Sequence, residues 1–532
     1  MSRPESPLRQ RCRPTAGSVP PVPEHAAGFD DLPLDDLPLD DLSLDDLAGA
    51  ALGRARSLGA TAAELRVGRL RTQVVVVRDG ALETTVDSTE LGLGLRVLHA
   101  GSLGFAGTVV CDTTAAAGLA DEAVALARST AGAEDGIELT DEPVHGEVSW
   151  VAPYDVDPTT VPLDDKVATL ARWTEDLRRA PGVAHAVAHV VAVVEDTHFA
   201  DLAGNRITQR RVRVHPVVEA VAVDAASGTF ETMRTVVAPA GRGWEHVDGP
   251  GSALGAEVAT LPDLLAEKLR APSVEPGTYD LVLDATNLWL TIHESVGHAT
   301  ELDRALGYEA AYAGTSFATL DRLGSLRYGS PLMHVTGDRT EPYGLATVAY
   351  DHEGVAACSF DLVRDGTLVG FQLDRRMAAE HGFGRSNGCA FADSPLHVPI
   401  QRMANVSLQP APDPGPSVEE LVSGTERGLY VVGDKSWSID MQRTNFQFTG
   451  QRFYRIEHGR LVGQVRDAAY QATTTDFWGS LDGLGGKSTW VLGGALNCGK
   501  GQPGQVAPVS HGCPAARFRQ VRVVNSRREA GR

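Results

Sequence analysis

Two histidines and a glutamate stand close together in the segment from residue 287 to residue 304, in the order His293, Glu294 and His298. Neutral imidazole is a good zinc ligand, and a glutamate directly after the first histidine can take a proton from a metal-bound water. These residue types predict the chemistry of a metal-dependent hydrolase. The competing interpretation is two ordinary histidines in a core helix.

The spacing differs from the familiar H-E-x-x-H arrangement, because His298 follows His293 by five positions rather than four. At roughly 100° per residue, the two imidazoles would project about 140° apart on a regular helix and could not share one ion. A π-bulge supplies the extra residue, and such bulges are frequent at functional sites. Gly297 weakens the helix at the required place, since glycine costs about 1 kcal/mol relative to alanine in a helix interior.

A catalytic zinc site usually has three protein ligands and one open position for water. The best candidate for the third ligand is Cys498, in the glycine-rich segment 492–503. A thiolate binds zinc well, and the neighbouring Lys500 would help to lower the pKa of the thiol. Glu301 and Asp303 are rival ligands, and Cys498 could instead be a small buried hydrophobic residue.

Several segments together resemble the TldD/PmbA family of metallopeptidases, also called modulators of DNA gyrase. The segments that carry the resemblance are His293–His298, Gly307–Glu309, Phe446–Phe448, Tyr454–Glu457 and Asn497–Gly501. The resemblance covers roughly residues 50 to 525 and is to the TldD branch. PmbA-type partners, also named TldE, generally lack the metal motif, whereas this chain carries all of its residues.

The resemblance implies a zinc-dependent peptidase. His293, His298 and Cys498 would hold Zn²⁺, and Glu294 would be the catalytic base that accepts a proton as water attacks a peptide carbonyl. Similar proteins form a TldD/TldE heterodimer that encloses the active site and admits unfolded peptides. The implied partners are therefore a peptide substrate and a TldE/PmbA-type subunit. The alternatives are a non-catalytic scaffold of the same family and a regulator that binds gyrase.

Composition and charge limit the classes of function. The 532 residues are 42% hydrophobic and 22% charged, which is ordinary globular usage and predicts two or three domains. A net charge of −21 argues against a nucleic-acid binder, because phosphate neutralisation needs clustered lysine and arginine. The sequence contains no apolar run of about eighteen residues, no signal-peptide core and no dense cysteine framework. We therefore expect a cytoplasmic protein without a membrane span.

The order of the predicted elements indicates an α+β, multi-domain chain. Residues 1–48, with their repeated Asp-Asp-Leu-Pro-Leu, predict a disordered acidic tail that contributes no buried core, although its leucines could dock on a partner. The metal motif would lie on a distorted helix after a strand at 279–284. The expected divisions beyond the tail are an N-terminal α+β domain (49–133), a linker (134–163), a middle α+β domain (164–272) and a strand-rich C-terminal metallopeptidase domain (273–525).

Local signals place several turns and helix ends. A helix is expected from Leu47 to Leu58, a second helix is expected to be capped at Asp112 or Thr113, and Ser417 with Glu420 predicts a capping box. Hairpin turns are predicted at Asp79-Gly80, Asp365-Gly366 and His458-Gly459.

Overall fold

The computed structural model describes residues 42–132, 136–224 and 228–529, together with Gln10, Cys12, Arg13 and Leu39. Helices and strands mix throughout these residues, and strands dominate the C-terminal part. The predicted α+β class is therefore confirmed. Most of the predicted acidic tail lies outside the described residues.

The elements of the N-terminal half are α1 (Leu44–Ser57), β1 (Ala62–Arg78), β2 (Ala81–His99), β3 (Ser102–Thr108), α2 (Thr113–Thr130), β4 (Glu147–Val151), α3 (Leu163–Arg179), β5 (Val183–Asp201), β6 (Arg206–Val223), β7 (Phe230–Arg234), α4 (Glu245–Asp248) and α5 (Leu254–Arg270).

The C-terminal half contains β8 (Gly277–Leu283), α6 (Ala285–Ile292), α7 (Leu302–Ala305), β9 (Val335–Asp338), β10 (Ser359–Arg364), β11 (Thr367–Leu368), α8 (Arg375–Glu380), β12 (Ala390–Phe391), β13 (Ile400–Gln401), β14 (Asn405–Leu408), α9 (Val418–Ser423), β15 (Arg427–Ile439), β16 (Asn445–Glu457), β17 (Arg460–Val465), β18 (Ala468–Thr473), α10 (Thr474–Gly479), β19 (Leu481–Leu484), β20 (Val491–Lys500), β21 (Gln505–Cys513), β22 (Ala516–Asn525) and α11 (Ser526–Glu529).

One seven-stranded sheet organises the N-terminal half, in the order β3-β2-β1-β5-β6-β4, with β7 also pairing with β6. β1 pairs antiparallel with β5 along nearly its whole length. This long-range pairing joins 49–133 to 164–272, so the two regions that the sequence divides into separate domains share one sheet. The predicted linker, 134–163, contributes β4 to the same sheet, where it runs parallel to β6.

Two hydrophobic cores form against this sheet. α1 and α2 pack on β1 to β3, whereas α3 and α5 pack on β1, β5, β6 and β7. The predicted turn at Asp79-Gly80 connects β1 to β2, and the Asp112 carboxylate caps α2 by accepting the N–H of Ala115 at 2.7 Å. Both local predictions are confirmed.

Parts of the predicted tail belong to the fold, which corrects the expectation for residues 1–48. α1 begins at Leu44 rather than Leu47, and Leu39 is 5% exposed in the core that α1 and α2 share. Two leucines of the repeat, Leu39 and Leu47, therefore supply residues to this core. Helical spacing from Leu47 onward could not reveal this earlier contact.

A second part of the tail contacts the C-terminal half. Cys12 forms a disulfide with Cys358, with their Cα atoms 5.7 Å apart. Arg13 forms a bridge with the backbone of Ser359 and an ion pair with Asp361 at 3.0 Å. The sequence analysis did not predict this cross-link, because the spacing of scattered cysteines carries no pairing information.

The C-terminal half is built around a second seven-stranded sheet, in the order β15-β8-β22-β18-β16-β17, with β19 also pairing with β22. β15 also pairs with β16, so the sheet closes on itself. Aromatic side chains fill the core, where the rings of Phe477 and Phe518 stack at 4.0 Å. The predicted hairpin turns at Asp365-Gly366 and His458-Gly459 and the capping box at Ser417 are confirmed.

Strand β8 delivers the chain from this closed sheet into α6. The Asp284 carboxylate caps α6 by accepting the N–H of Thr286 at 2.9 Å. The two-stranded pair β20–β21 packs over α6 and brings a distant part of the chain beside the metal motif. No helix among the described residues is long and apolar enough to cross a membrane.

Candidate functional site

The helix that carries the two histidines changes its geometry at the motif. α6 is regular, residues 293–297 form a π-helical turn, and residues 298–300 form a 3₁₀ turn. The backbone N–H of His298 bonds to the carbonyl of His293, which is the five-residue step of a π-helix. The predicted distortion is confirmed, and it brings the two imidazole centroids to 4.7 Å.

Side chains from outside the helix hold the distorted turn. Gln372 donates through Nε2 to the carbonyl of Gly297 at 2.7 Å, and the hydroxyl of Tyr328 donates to the carbonyl of Ser295. A Cβ on Gly297 would lie 2.6 Å from Sδ of Met403. A larger residue at position 297 would have to displace the Met403 side chain, so close packing favours the glycine that also weakens the helix here.

Cys498 reaches the same place from β20. The glycine-rich segment forms a strand with a bulge between Ala495 and Cys498. A Cβ on Gly493 would lie 2.3 Å from the ring of Trp289, so glycine is needed where the strand crosses α6. The bulge and the glycines together let the strand present the thiol to the helix.

Three potential ligand atoms meet at this point. Sγ of Cys498 lies 3.5 Å from Nε2 of His298, and His293, His298 and Cys498 offer donor atoms within 4.8 Å of one another. Zinc bonds of about 2.1 Å to nitrogen and about 2.3 Å to sulfur place two tetrahedral ligands about 3.6 Å apart. The donor types and their spacing therefore fit one zinc ion.

Burial and nearby charges set the pKa of two of these groups, His293 and Cys498. Burial lowers the pKa of His293, but the charge of Cys498 and a hydrogen bond to it outweigh burial and raise the pKa. Burial raises the pKa of the Cys498 thiol, but the charge of His293 and a hydrogen bond to it, with the charge of Arg402, bring the pKa below its usual value. A bound metal cation would take the place of the proton that the His293 imidazole and the Cys498 thiolate share.

The two rival ligands lie one step outside this cluster. Glu301 accepts a hydrogen bond from Nδ1 of His298 at 2.8 Å, which leaves Nε2 free to face Cys498. The ammonium of Lys500 lies 2.8 Å from Asp303 and 3.2 Å from Glu301. Lys500 therefore neutralises carboxylates, and the positive charges that lower the Cys498 pKa are that of His293 and, after it, that of Arg402 rather than, as predicted, that of Lys500.

His511 is a buried neighbour of the site that sequence reasoning missed. Its Nε2 lies 2.8 Å from Nδ1 of His293, and its Nδ1 lies 2.8 Å from the carbonyl of Val406. Trp289 stacks on the His511 ring, with centroids 6.2 Å apart. A single histidine 218 positions from its partner forms no recognisable spacing, so no local signal could have found it.

Glu294 is 5% exposed and pairs with Arg443, whose Nη1 donates to Oε2 of Glu294 at 2.5 Å. Arg443 lies on the hairpin between β15 and β16 and was also missed. Both residues line a cleft of about 520 Å³ together with His298 and Cys498. Arg234 and neighbouring residues of the N-terminal half also line this cleft, so both halves of the chain build it.

Known proteins carry the same domains. Residues 276–525 match the PmbA/TldA metallopeptidase C-terminal domain, and residues 63–127 match the PmbA/TldA metallopeptidase domain 1. The chain belongs to the TldD/PmbA family. This confirms the family that the metal motif and the distant cysteine indicate, and the family is one of metallopeptidases.

TldD/PmbA relatives match over most or half of the chain. A metalloprotease of Methanothermobacter thermautotrophicus is 27% identical over 476 residues, which cover 87% of this chain and 95% of the relative. A protein of Saccharolobus solfataricus named zinc metalloprotease TldD homolog is 25% identical over 267 residues, which cover 50% of this chain and 56% of the relative.

Two solved structures confirm the TldD/PmbA fold. A Thermotoga maritima protein named as a modulator of a DNA gyrase superposes with a TM-score of 0.70 at 15% identity, covering 90% of this chain and 100% of that one. TldE from Thermococcus kodakarensis superposes with a TM-score of 0.66 at 14% identity, again covering 90% and 100%.

Proposed function

We propose that this protein is a zinc-dependent peptidase of the TldD branch, in which His293, His298 and Cys498 hold the metal and Glu294 is the general base. The observation that carries the proposal is the convergence of three donor atoms within 4.8 Å, beside a buried carboxylate in the wall of a cleft. A thiolate with two imidazoles favours zinc over magnesium or calcium, which prefer oxygen ligands.

The chain's own groups divide the chemistry of peptide hydrolysis. Zn²⁺ with three protein ligands would supply a Lewis acid and an open position for water. The carboxylate of Glu294 takes the proton that the attacking water loses, and then delivers it to the leaving nitrogen. Hydrogen bonds from Nδ1 of His298 to Glu301 and from Nδ1 of His293 to His511 hold the two rings so that their Nε2 atoms would be available to bind the metal.

The substrate we propose is an unfolded peptide, and the partner is a TldE/PmbA-type subunit. Large apolar side chains near the cleft are exposed, with Trp437 at 53%, Tyr312 at 58% and Met441 at 49%. A covering subunit would bury them. The fold shared with TldE supports a partner of related shape. The net charge of −21 continues to disfavour nucleic acid, and a cytoplasmic location stays a prediction.

Zinc content and hydrolysis together test this proposal. Wild type and Glu294→Gln are purified with and without a TldE-type subunit, and cleavage of fluorescently labelled casein is followed. Both proteins should hold about one zinc, because the substitution leaves the three ligands in place, whereas the variant should lose at least about 10²-fold in rate. Glu457→Gln, at a 47% exposed side chain, is the matched control.

Two results would contradict the proposal in different ways. A wild type without zinc would exclude the metal site and favour the non-catalytic scaffold. Equal cleavage by wild type and Glu294→Gln would show that Glu294 is not the base.

A further inference from the structure

Arg443 lies at the tip of the β15–β16 hairpin with a backbone φ of 63°. This left-handed conformation favours glycine or asparagine and is uncommon for other residues. The turn is nevertheless well braced: the Asp440 carboxylate accepts the N–H of Thr444 at 2.7 Å, and the hydroxyl of Thr474 donates to the Arg443 carbonyl at 2.6 Å. An arginine in this conformation requires an explanation in its side chain.

The guanidinium reaches the proposed base and still has donors to spare. Arginine carries five N–H donors, and the hydrogen bond to Glu294 uses one of them. Nε is buried without a hydrogen-bond partner, and no other hydrogen bond from this guanidinium is formed within the part of the chain that the structure describes. The side chain is 11% exposed and lines the cleft beside His298 and Cys498.

Arg443 therefore brings a positive charge into the cleft that the proposed metal ligands His298 and Cys498 also line. The arrangement is what a site needs if a negative charge develops in the cleft during the reaction.

We propose that Arg443 binds the oxygen of the scissile carbonyl and stabilises the negative charge that forms on it. The proposal rests on the proposed peptidase function and deepens it. As the water oxygen bonds to the carbonyl carbon, the π electron pair moves to the carbonyl oxygen and a water proton moves to Glu294. When this electron pair forms the carbon–oxygen double bond again, the carbon–nitrogen bond breaks and Glu294 gives the proton to the leaving nitrogen. Arg443 donates N–H bonds to the oxygen throughout.

The test compares Arg443→Gly, Arg443→Lys and wild type in the zinc-loaded full chain with its TldE-type subunit. Arg443→Gly relieves the positive φ but leaves the buried Glu294 carboxylate without its ion-pair partner. Because these effects oppose each other, its melting temperature should stay close to that of wild type, and its zinc content should be unchanged since all three ligands remain. Its kcat on labelled casein should fall about 10²- to 10³-fold with KM changed less than about threefold. Arg443→Lys keeps the charge without the planar fork and should be intermediate.

A binding measurement provides a readout that does not depend on turnover. The probes are trialanine and a phosphinic trialanine analogue, in which a tetrahedral, anionic P(O)O–CH₂ group replaces one peptide bond. Wild type should bind the phosphinic probe at least about 10²-fold more tightly than trialanine, and Arg443→Gly should lose most of this ratio. The matched control is His458→Gly, which relieves a positive φ of 48° at the exposed tip of another hairpin and should match wild type.

The outcomes separate this proposal from the proposed function. If wild type cleaves casein and Arg443→Gly cleaves it equally fast, or keeps the phosphinic preference, Arg443 does not bind the oxyanion although the peptidase function stands. If Arg443→Gly loses its zinc or its melting temperature falls sharply while Arg443→Lys matches wild type in kcat, the role of Arg443 is structural and the proposal is wrong. A wild type that holds no zinc and cleaves nothing removes both proposals.

Discussion

Nδ1 of His293 lies 2.8 Å from Nε2 of His511, and this contact determines which nitrogen of His293 is free to bind a metal. The Val406 carbonyl can only accept, so Nδ1 of His511 carries the proton that faces it. Burial, above all, holds the pKa of His511 well below its usual value, so the ring is neutral and its Nε2 accepts a hydrogen bond. His293 must then donate from Nδ1 and present the lone pair of Nε2 to the cluster.

The first prediction concerns the hydrogen bond between His293 and His511. His511→Phe should lower zinc affinity by about 10- to 100-fold, because His293 loses the acceptor that orients its ring. His511→Gln should lose less, since an amide oxygen can accept the same hydrogen bond. Competition with a chromogenic zinc chelator measures the affinities.

His458→Phe, at a side chain that is 86% exposed, controls for removal of an imidazole. Wild-type zinc affinity in His511→Phe would show that the contact does not orient His293.

A second prediction concerns the thiol. Cys498→Ser should weaken zinc binding at least about tenfold, because a serine hydroxyl is not deprotonated at neutral pH whereas a thiolate suits borderline-soft zinc. Iodoacetamide should alkylate Cys498 in the zinc-free protein and react at least about tenfold more slowly with the zinc-loaded protein. Peptide mapping by mass spectrometry follows the modification.

The internal control for alkylation is Cys111, which is partly exposed and should react at the same rate with and without zinc. Cys12 cannot serve, because it is bonded to Cys358. Unchanged zinc affinity in an active Cys498→Ser variant would move the search for the third ligand to Glu301 or Asp303.

A third prediction uses pH. Two buried cations, Lys500 and Arg304, form ion pairs with three carboxylates, those of Glu301, Asp303 and Glu309. If all three carboxylates were ionised, these five groups would carry one more negative than positive charge. Burial, followed by the charge of Glu301, raises the pKa of Glu309 from 4.5 to about 7. The native state therefore binds this proton more tightly than the unfolded state. Stability from Glu309 is present below pH 4.5 and is lost as pH rises through about 7.

Relative to Glu309→Gln, wild type should therefore lose thermal stability between pH 5 and pH 8, by at most roughly 3 kcal/mol. Melting temperatures of both proteins across this range measure the divergence. Glu457→Gln, which changes an exposed carboxylate, should run parallel to wild type. Parallel curves for wild type and Glu309→Gln would show that Glu309 is ionised throughout.

Local signals predicted the parts of the site that lie within one turn or one element. The spacing of His293 and His298 required a widened helical turn, and Asp-Gly and capping patterns located hairpins and helix starts, because each depends on neighbouring residues. Cys498 was predicted from residue chemistry and a family resemblance, since nothing in a glycine-rich segment specifies its packing partner. Its strand conformation and bulge were missed for the same reason.

The features that the sequence did not predict depend on contacts between residues far apart in the chain. Arg443 and His511 each contribute one side chain from a hairpin far along the chain, with no repeat or spacing to reveal it. The pairing of β1 with β5 depends on which of several similar β-rich segments become neighbours, so the sequence suggested two domains where one sheet forms. The Cys12–Cys358 bond likewise depends on where the chain folds back.

The last prediction tests the buried part of the acidic repeat. Leu39 is 5% exposed in the core formed with α1 and α2, so Leu39→Ala should destabilise this region by about 2 to 4 kcal/mol. Amide hydrogen exchange in α1, followed by mass spectrometry, should accelerate accordingly because opening of the helix becomes easier. Leu461→Ala, at a side chain that is 46% exposed, should change exchange in α1 very little and serves as the matched control. If exchange in α1 is the same in Leu39→Ala as in wild type, the repeat contributes no core, as its composition alone would suggest.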